Sequence, residues 1–466
     1  MQTITLNREH KMRQKSEPQL ELFHTMPRTE IGRELEAMSR ILHENPGVLD
    51  LVYKDLIGLK DAETGRRGMT AEQTLRSAIL KQYRELTYEE LAFHLDDSSA
   101  FRAFARLNRG QHLQTSALQE NIKAISKETW EEIIKTFVRY AAEKGIEKGR
   151  TIRVDSTATE TNVHYPQDSR LIEDCIVVII RLLAAGKELN PVPCYSYSDH
   201  QRVVTKRVQK IRDTKKEEVR AKCYKDLLGI ATQVRGYASK AIDALQTYEN
   251  RDEVERIRAR ILAEELERML GLFDKVMDQT RRRVIDEEKV PAREKVFSVF
   301  ECHTDIIDKG NRETVYGHKL FLTTGQSGLI LDCVVERGNP ADTSLFLPLM
   351  DRQKEIYGRA PRQAAADGGF ASAENLNAAK ERGIKDVAFA KRKGLSVLEM
   401  VKSQWVYKKL RNFRAGIEAG ISTLKRAFGL SRCTWTGWEG FCQYVGSAVA
   451  SFDLLLLARK LILNTQ

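Results

Sequence analysis

Residues 151–163 read TIRVDSTATETNV. Up to this point the chain is helical in pattern. Here β-branched residues crowd together, and Ile152 and Val154 alternate with polar neighbours. That predicts a strand running into a loop, with Asp155 at the strand's carboxyl end. HYPQDSRL (164–171) follows, with Pro166 as a breaker. Strand texture returns after Pro291. KVFSVF (295–300), YGHKLFLTTG (316–325) and LILDCVVERG (329–338) read as strands, and TTGQSG (323–328) as a hairpin turn. TSLFLPLMDRQKEIYG (343–358) reads as a helix and RQAAADGGF (362–370) as a short strand of small residues. SAENLNAAKERG (372–383) reads as a helix with Ser372 as N-cap, and VAFAK (387–391) as a further strand. From Tyr407 onward the pattern is helical. With the helical segment between the first two strands set aside, the order is βββαβαβα. Three antiparallel strands followed by alternating helix and strand make a mixed sheet with helices on its faces.

Working outward, residues 1–30 are polar without periodicity and read as a loose arm. Residues 31–148 read as a helical domain. In IGRELEAMSRILHEN (31–45), Ile31, Leu35, Met38, Ile41 and Leu42 share one stripe. Thr70 and Thr87 precede helical runs as N-caps do. Between 171 and 290 a long helical insertion is interrupted by KELNPVPCYSYS (187–198). In DEVERIRARILAEELERMLGLFDKVMDQT (252–280), Val254, Ile257, Ile261, Leu262, Leu266, Met269, Leu270 and Phe273 keep a helical stripe, as in an amphipathic helical pair.

The chain has 466 residues, 42% hydrophobic and 30% charged, enough to build cores. That excludes a mainly disordered, collagen-like or small disulfide-stapled protein. Seven scattered cysteines form no C-x-x-C pair, so they read as reduced thiols rather than a zinc knuckle. The N-terminus lacks the apolar core of a signal peptide. The most apolar stretch, VGSAVASFDLLLLARKLIL (445–463), is interrupted by Asp453, Arg459 and Lys460 and reads as a buried helix. A soluble, cytoplasmic protein is expected.

Lys and Arg number 76 against 65 Asp and Glu, a net charge of +11. The surplus is local. Between Gln201 and Lys225 there are ten Lys or Arg against three acids, and between Lys391 and Leu430 ten against two. Two basic fields make nucleic acid the leading partner class.

Two carboxylates stand at strand ends, Asp155 and Asp367, the latter after AAA and before Gly368 and Gly369. If these strands are adjacent and parallel, the two side chains converge. Close carboxylates repel, and a hard divalent cation relieves them. Taken singly, each Asp also fits a turn or N-cap. In KLRNFRAGIEAGISTLKRAFGL (409–430), helical spacing places Arg411, Arg414, Glu418 and Lys425 in one sector. Ile417, Ile421, Leu424 and Phe428 form a separate apolar stripe. Gly416 and Gly420 each cost about 1 kcal/mol in a helix interior. Something approaches the backbone there, either the sheet or DNA.

The three blocks DSTATETNVHYP (155–166), AADGGFAS (365–372) and RNFRAGIEAGISTLKRAFGL (411–430) resemble the catalytic blocks of bacterial insertion-sequence DDE transposases. The nearest branch is the ISNCY-type group, whose third block carries Y-x2-R-x3-E-x6-K. Arg414, Glu418 and Lys425 match that spacing, while the Tyr position holds Arg411. The segment 69–107 is similar to the N-terminal domain of these enzymes, which is associated with binding the element's ends. The resemblance implies an RNase H-like catalytic core over 149–170 and 291–466, with 31–148 as the DNA-binding domain and 171–290 inserted after the first core strand. It implies two Mg²⁺ ions on Asp155, Asp367 and Glu418, with Mn²⁺ able to substitute, and DNA contacts from Arg411, Arg414 and Lys425. The partners implied are the terminal inverted repeats, target DNA and a second copy, as a homodimer or larger synaptic assembly. The rival readings are a catalytically silent, transposase-derived DNA-binding protein and an RNase H-like nuclease that cuts without joining.

Overall fold

The structure is a computed structural model; it describes residues 14–16, 29–58, 68–308, 314–391 and 393–464. The arm expected over 1–30 falls almost wholly outside these. The chain divides into two compact units, one formed by 1–162 with 307–466 and the other by 163–306.

The first unit begins with seven helices: α1 (Glu30–Glu44), α2 (Gly47–Ile57), α3 (Ala71–Tyr83), α4 (Tyr88–Asp97), α5 (Ser99–Phe104), α6 (Thr115–Lys123) and α7 (Lys127–Glu143). Their starts are written in the sequence. Thr70 and Thr87 side chains each accept a hydrogen bond from the backbone N–H of the helix's third residue, and the side chains of Gln73 and Glu90 accept in turn from the cap's backbone N–H, completing capping boxes. Helix α3 is buried along nearly its whole length. Its Arg76 guanidinium is held by Glu72, Ser39 and the carbonyl of Phe104.

The sheet follows. Strand β1 (Thr151–Glu160) is longer than its sequence suggests, and Asp155 lies within it rather than at its end. The reason is pairing. Arg153–Glu160 lie antiparallel to Thr324–Gly317 of β3 (Val315–Thr324), so the ladder continues past the Asp. KVFSVF is not a strand. Gln279 both donates to and accepts from the backbone of Val296, and Val299 packs into the helical unit's core, so these backbone groups are satisfied without a ladder. A three-residue strand, β2 (Asp305–Ile307), comes instead. Strand β4 (Ile330–Glu336) pairs β3 through the expected hairpin, where Gly328 takes a left-handed conformation. After the four helices α8 (Asp168–Gly186), α9 (Gln201–Asp213), α10 (Glu217–Gln246) and α11 (Glu253–Thr280) of the second unit, helices α12 (Asp342–Tyr357) and α13 (Ala373–Glu381) alternate with β5 (Gln363–Ala366) and β6 (Asp386–Phe389). The strand order is β2-β3-β1-β5-β6, with β4 also on β3. β5 and β6 run parallel to β1, so the sheet is mixed. Short α14 (Val397–Met400), α15 (Gln404–Ala415), α16 (Ile417–Ala427) and the long α17 (Gly437–Asn464) complete the unit. One continuous apolar core joins the N-terminal helices, the sheet and α17.

The second unit is helical: α8 (Asp168–Gly186), α9 (Gln201–Asp213), α10 (Glu217–Gln246) and α11 (Glu253–Thr280). Its core is Leu, Ile, Val and Ala from all four helices, with Phe273. The expected α11 stripe is only half correct. Ala259, Ala263, Leu266, Met269 and Phe273 are buried, whereas Val254, Ile257 and Ile261 are exposed.

Candidate active site

The site is built from two strands and a broken helix. β1 and β5 are paired in parallel through Thr151–Val154 and Gln363–Ala366. Asp155 and Asp367 are the next residue of each, so both emerge where the parallel ladder stops. Ala364, Ala365 and Ala366 are fully buried, and their small size lets α15 pack on β5.

The segment 409–430 is not one helix. α15 ends and α16 begins at Gly416. Arg153, on β1 two residues before Asp155, causes the break. It donates to Thr324 Oγ1 at 2.7 Å and to the Phe413 carbonyl at 2.7 Å, and its guanidinium lies 4.7 Å from the Phe413 ring centroid. A Cβ on Gly416 would stand 2.3 Å from Arg153 Nη1. The close approach at Gly416 is therefore made by the chain's own arginine. Gly420 meets nothing within 4 Å. The apolar stripe holds: Ile417, Leu424 and Phe428 are buried. The break puts Glu418 in the first turn of α16, where the helix dipole favours a carboxylate.

Arg414 is the hub. Its Nη2 lies 2.8 Å from Asp155 Oδ2 and 3.7 Å from Asp367 Oδ1, and its Nη1 donates to Glu418 Oε1 at 3.1 Å. The structure thus brings Asp155, Asp367, Glu418 and Arg414 together. Exposure rises across the set, from 12% for the Asp155 side chain to 43% for Asp367 and 66% for Glu418, so the cluster opens on the Glu418 side. Burial pushes the Asp155 carboxyl above its ordinary range and the charge of Asp367 adds to this. Arg414 and the Ser156 N–H, which donates to Asp155 Oδ1 at 2.9 Å, oppose it. Lys425 donates to the Ala158 carbonyl at 2.8 Å. Arg411 is exposed on α15.

Sequence reasoning missed several residues that shape this site. Arg153 is one, and an arginine inside a buried β-branched strand is the signal that could have found it. Gly368 and Gly369 are explained by space: a Cβ would meet the Lys391 stem at 2.6 Å in the first and Asp342 Oδ2 at 2.6 Å in the second. Asp342 in turn accepts from Ser156 Oγ and pairs with Lys319.

Among the described residues no group of three or more His, Cys, Asp or Glu stands close enough to hold a metal ion as placed. The donor chemistry nonetheless fits a hard cation. Three carboxylates surround one positive group, and the most buried of them has a neighbouring carboxylate that raises its proton affinity, a repulsion that positive charge relieves.

Residues 278–451 match the family model described as Transposase DDE domain. The match supports a DDE transposase. It spans β2 to β6 and takes in Asp367, Arg414, Glu418 and Lys425, while Asp155 lies before it. Comparison with curated proteins and with solved structures gave no match.

Proposed function

We propose that this chain is an insertion-sequence transposase, a mobile-element enzyme that binds its terminal inverted repeats and cleaves and joins DNA strands. The observation that carries this is the convergence of Asp155, Asp367 and Glu418, from two adjacent parallel strands and a helix, on the single guanidinium of Arg414. The mixed sheet and the matched domain support an RNase H-like core. The finer parts belong to the same proposal: ISNCY-type membership, end binding by 31–148, a homodimeric or larger synaptic assembly, and action in the bacterial cytoplasm on nucleoid DNA.

Asp155, Asp367 and Glu418 would hold two Mg²⁺ ions, or Mn²⁺ in their place. Bound there, the metals supply activation of the attacking water or 3′-OH and stabilisation of the leaving 3′-oxygen. The chain's own residues do the rest. Asp155 is fixed by the Ser156 N–H and by its place in the sheet. Arg414 Nε is buried and has no hydrogen-bond partner among the described residues. Once the carboxylates are otherwise neutralised, Nη1 and Nη2 present a fork from which a phosphate can accept bidentately. Arg414 therefore serves the DNA backbone beside the carboxylates, with Lys425 and Arg411 further along the same helical pair.

A labelled duplex carrying the DNA that flanks this gene tests the proposal, incubated with Mg²⁺ or Mn²⁺. The expected outcome is nicking at a defined end followed by joined products. Asp155→Asn and Glu418→Gln should each slow both steps on the order of 100- to 1000-fold, the scale of losing a group that stabilises transition-state charge. Tight binding without metal-dependent cutting would leave a silent DNA-binding derivative. Cutting without joining would leave a nuclease.

A further inference from the structure

Helix α9 of the helical unit takes no part in the site above. Its buried side is Val204, Val208 and Ile211. At 100° per residue the opposite side is centred on Arg202, Lys206 and Lys210, with Gln209 and Asp213 beside them. All five are exposed. Lys206, Gln209, Lys210, Asp213 and Thr214 line a shallow depression on this face. The chain then turns through Lys215 and Lys216, also exposed, before α10 begins.

Several cations elsewhere in this unit are answered by acids, although others such as Lys222, Lys225, Lys240 and Arg268 are also exposed without an acidic partner among the described residues. Arg235 pairs with Asp274, Arg258 with Glu255 and Arg260 with Glu264. On α9 itself, Arg207 pairs with Asp226 and Arg212 with Asp213. Among the described residues, Arg202, Lys206, Lys210, Lys215 and Lys216 have no acidic partner. Positions four apart on a helix lie about 6 Å apart along its axis. The result is a gently spiralling row of three unpaired cations continued by two more at the turn. A row of like charges four residues apart destabilises its own helix slightly, so an external polyanion is what the arrangement fits. Duplex DNA presents a phosphate about every 3.4 Å of helix axis per strand, dense enough for each cation of such a row, about 6 Å from the next, to reach a phosphate of one backbone.

We infer that the outer face of α9, through Arg202, Lys206 and Lys210, is a sequence-independent docking surface for the phosphate backbone of duplex DNA. It rests on the transposase reading for its choice of polyanion, and it adds a second DNA contact that reads no bases.

The test uses the full chain with Arg202→Gln, Lys206→Gln and Lys210→Gln combined, and fluorescence anisotropy on a labelled duplex of random sequence between 50 and 200 mM KCl. Three lost phosphate contacts should reduce the slope of log K against log [KCl] by about 2.7, at about 0.9 per contact. Affinity should fall equally for random and end-bearing duplexes. Arg260→Gln, at an exposed and already paired position, should leave the slope at the wild-type value. An unchanged slope in the triple variant overturns the inference and makes the face merely solvated. A change in sedimentation mass with an unchanged slope overturns it in favour of a protein contact. Equal loss on duplex RNA and DNA overturns the assignment to DNA. The two proposals fail separately: an unchanged slope in the triple variant, with a wild type that cuts and joins, removes only this surface, and a reduced slope in the triple variant, with a wild type that never joins DNA, removes only the transposase.

Discussion

At the residue scale, Arg414 neutralises carboxylates that otherwise repel. Asp155 is the most buried of the three, and its carboxyl is raised mainly by that burial. A carboxyl raised in the folded state is protonated there at a pH where the unfolded chain has already ionised. Its stabilising contribution is full below the ordinary value near 4 and falls as pH rises through the folded value. Removing Arg414 takes away the strongest opposing influence, so this loss should deepen. Arg414→Ala is therefore expected to match the wild-type melting temperature near pH 4 and to fall below it at pH 7.5. The deficit should be on the order of 1–3 kcal/mol, the cost of stranding a largely buried charge-assisted hydrogen bond. Thermal melts at the two pH values check this. A uniform deficit would mean that Arg414 contributes packing alone.

At the scale of elements, the joint between α15 and α16 sets where Glu418 stands. Gly416→Ala would drive a methyl against Arg153 and displace it from the Phe413 carbonyl, costing about 1–3 kcal/mol as overpacking does. Strand cleavage should fall with it, because Glu418 moves with the joint. Gly420→Ala should do the opposite, gaining up to about 1 kcal/mol, since it lies inside α16 with open space around it. Urea denaturation of the pair measures both signs. The two glycines look alike in the sequence, where both read as costs requiring a close approach. The spacing of Arg414, Glu418 and Ile417 was legible because helical periodicity survives the break: a one-residue joint barely changes the phase. The break itself was not legible, because its cause is Arg153, more than two hundred residues earlier. The same holds for β1. Alternation announced the strand, but its continuation past Asp155 depends on β3, whose pairing no local pattern encodes. Capping boxes, the β3–β4 hairpin and Ser372 as a cap were readable because each is satisfied within a few residues.

At the scale of the first unit as a folding body, α17 joins what the sequence divides. By length and composition it could cross a bilayer, yet 83% of its most apolar window is buried, against α1, α3, α7 and β4. The sequence reading of a buried helix rested on Asp453, Arg459 and Lys460, and of these Asp453 lies wholly in the core. Asp453 is fully buried, and its Oδ1 accepts the Ile330 N–H at 2.9 Å where β4 begins. Its Oδ2 has no partner among the described residues, and burial raises its carboxyl well above the ordinary range. The folded protein therefore holds this proton to a higher pH than the unfolded chain does, and stability declines as pH rises from about 4 towards the folded value. Asn keeps the acceptor for Ile330 and needs no proton. Asp453→Asn should therefore melt higher than wild type at pH 8, by a margin that disappears near pH 4. Because one core joins the N-terminal helices to the sheet, the gain should register together in α3 and β1 by hydrogen exchange. A gain confined to α17 would show that the N-terminal helices and the sheet unfold independently.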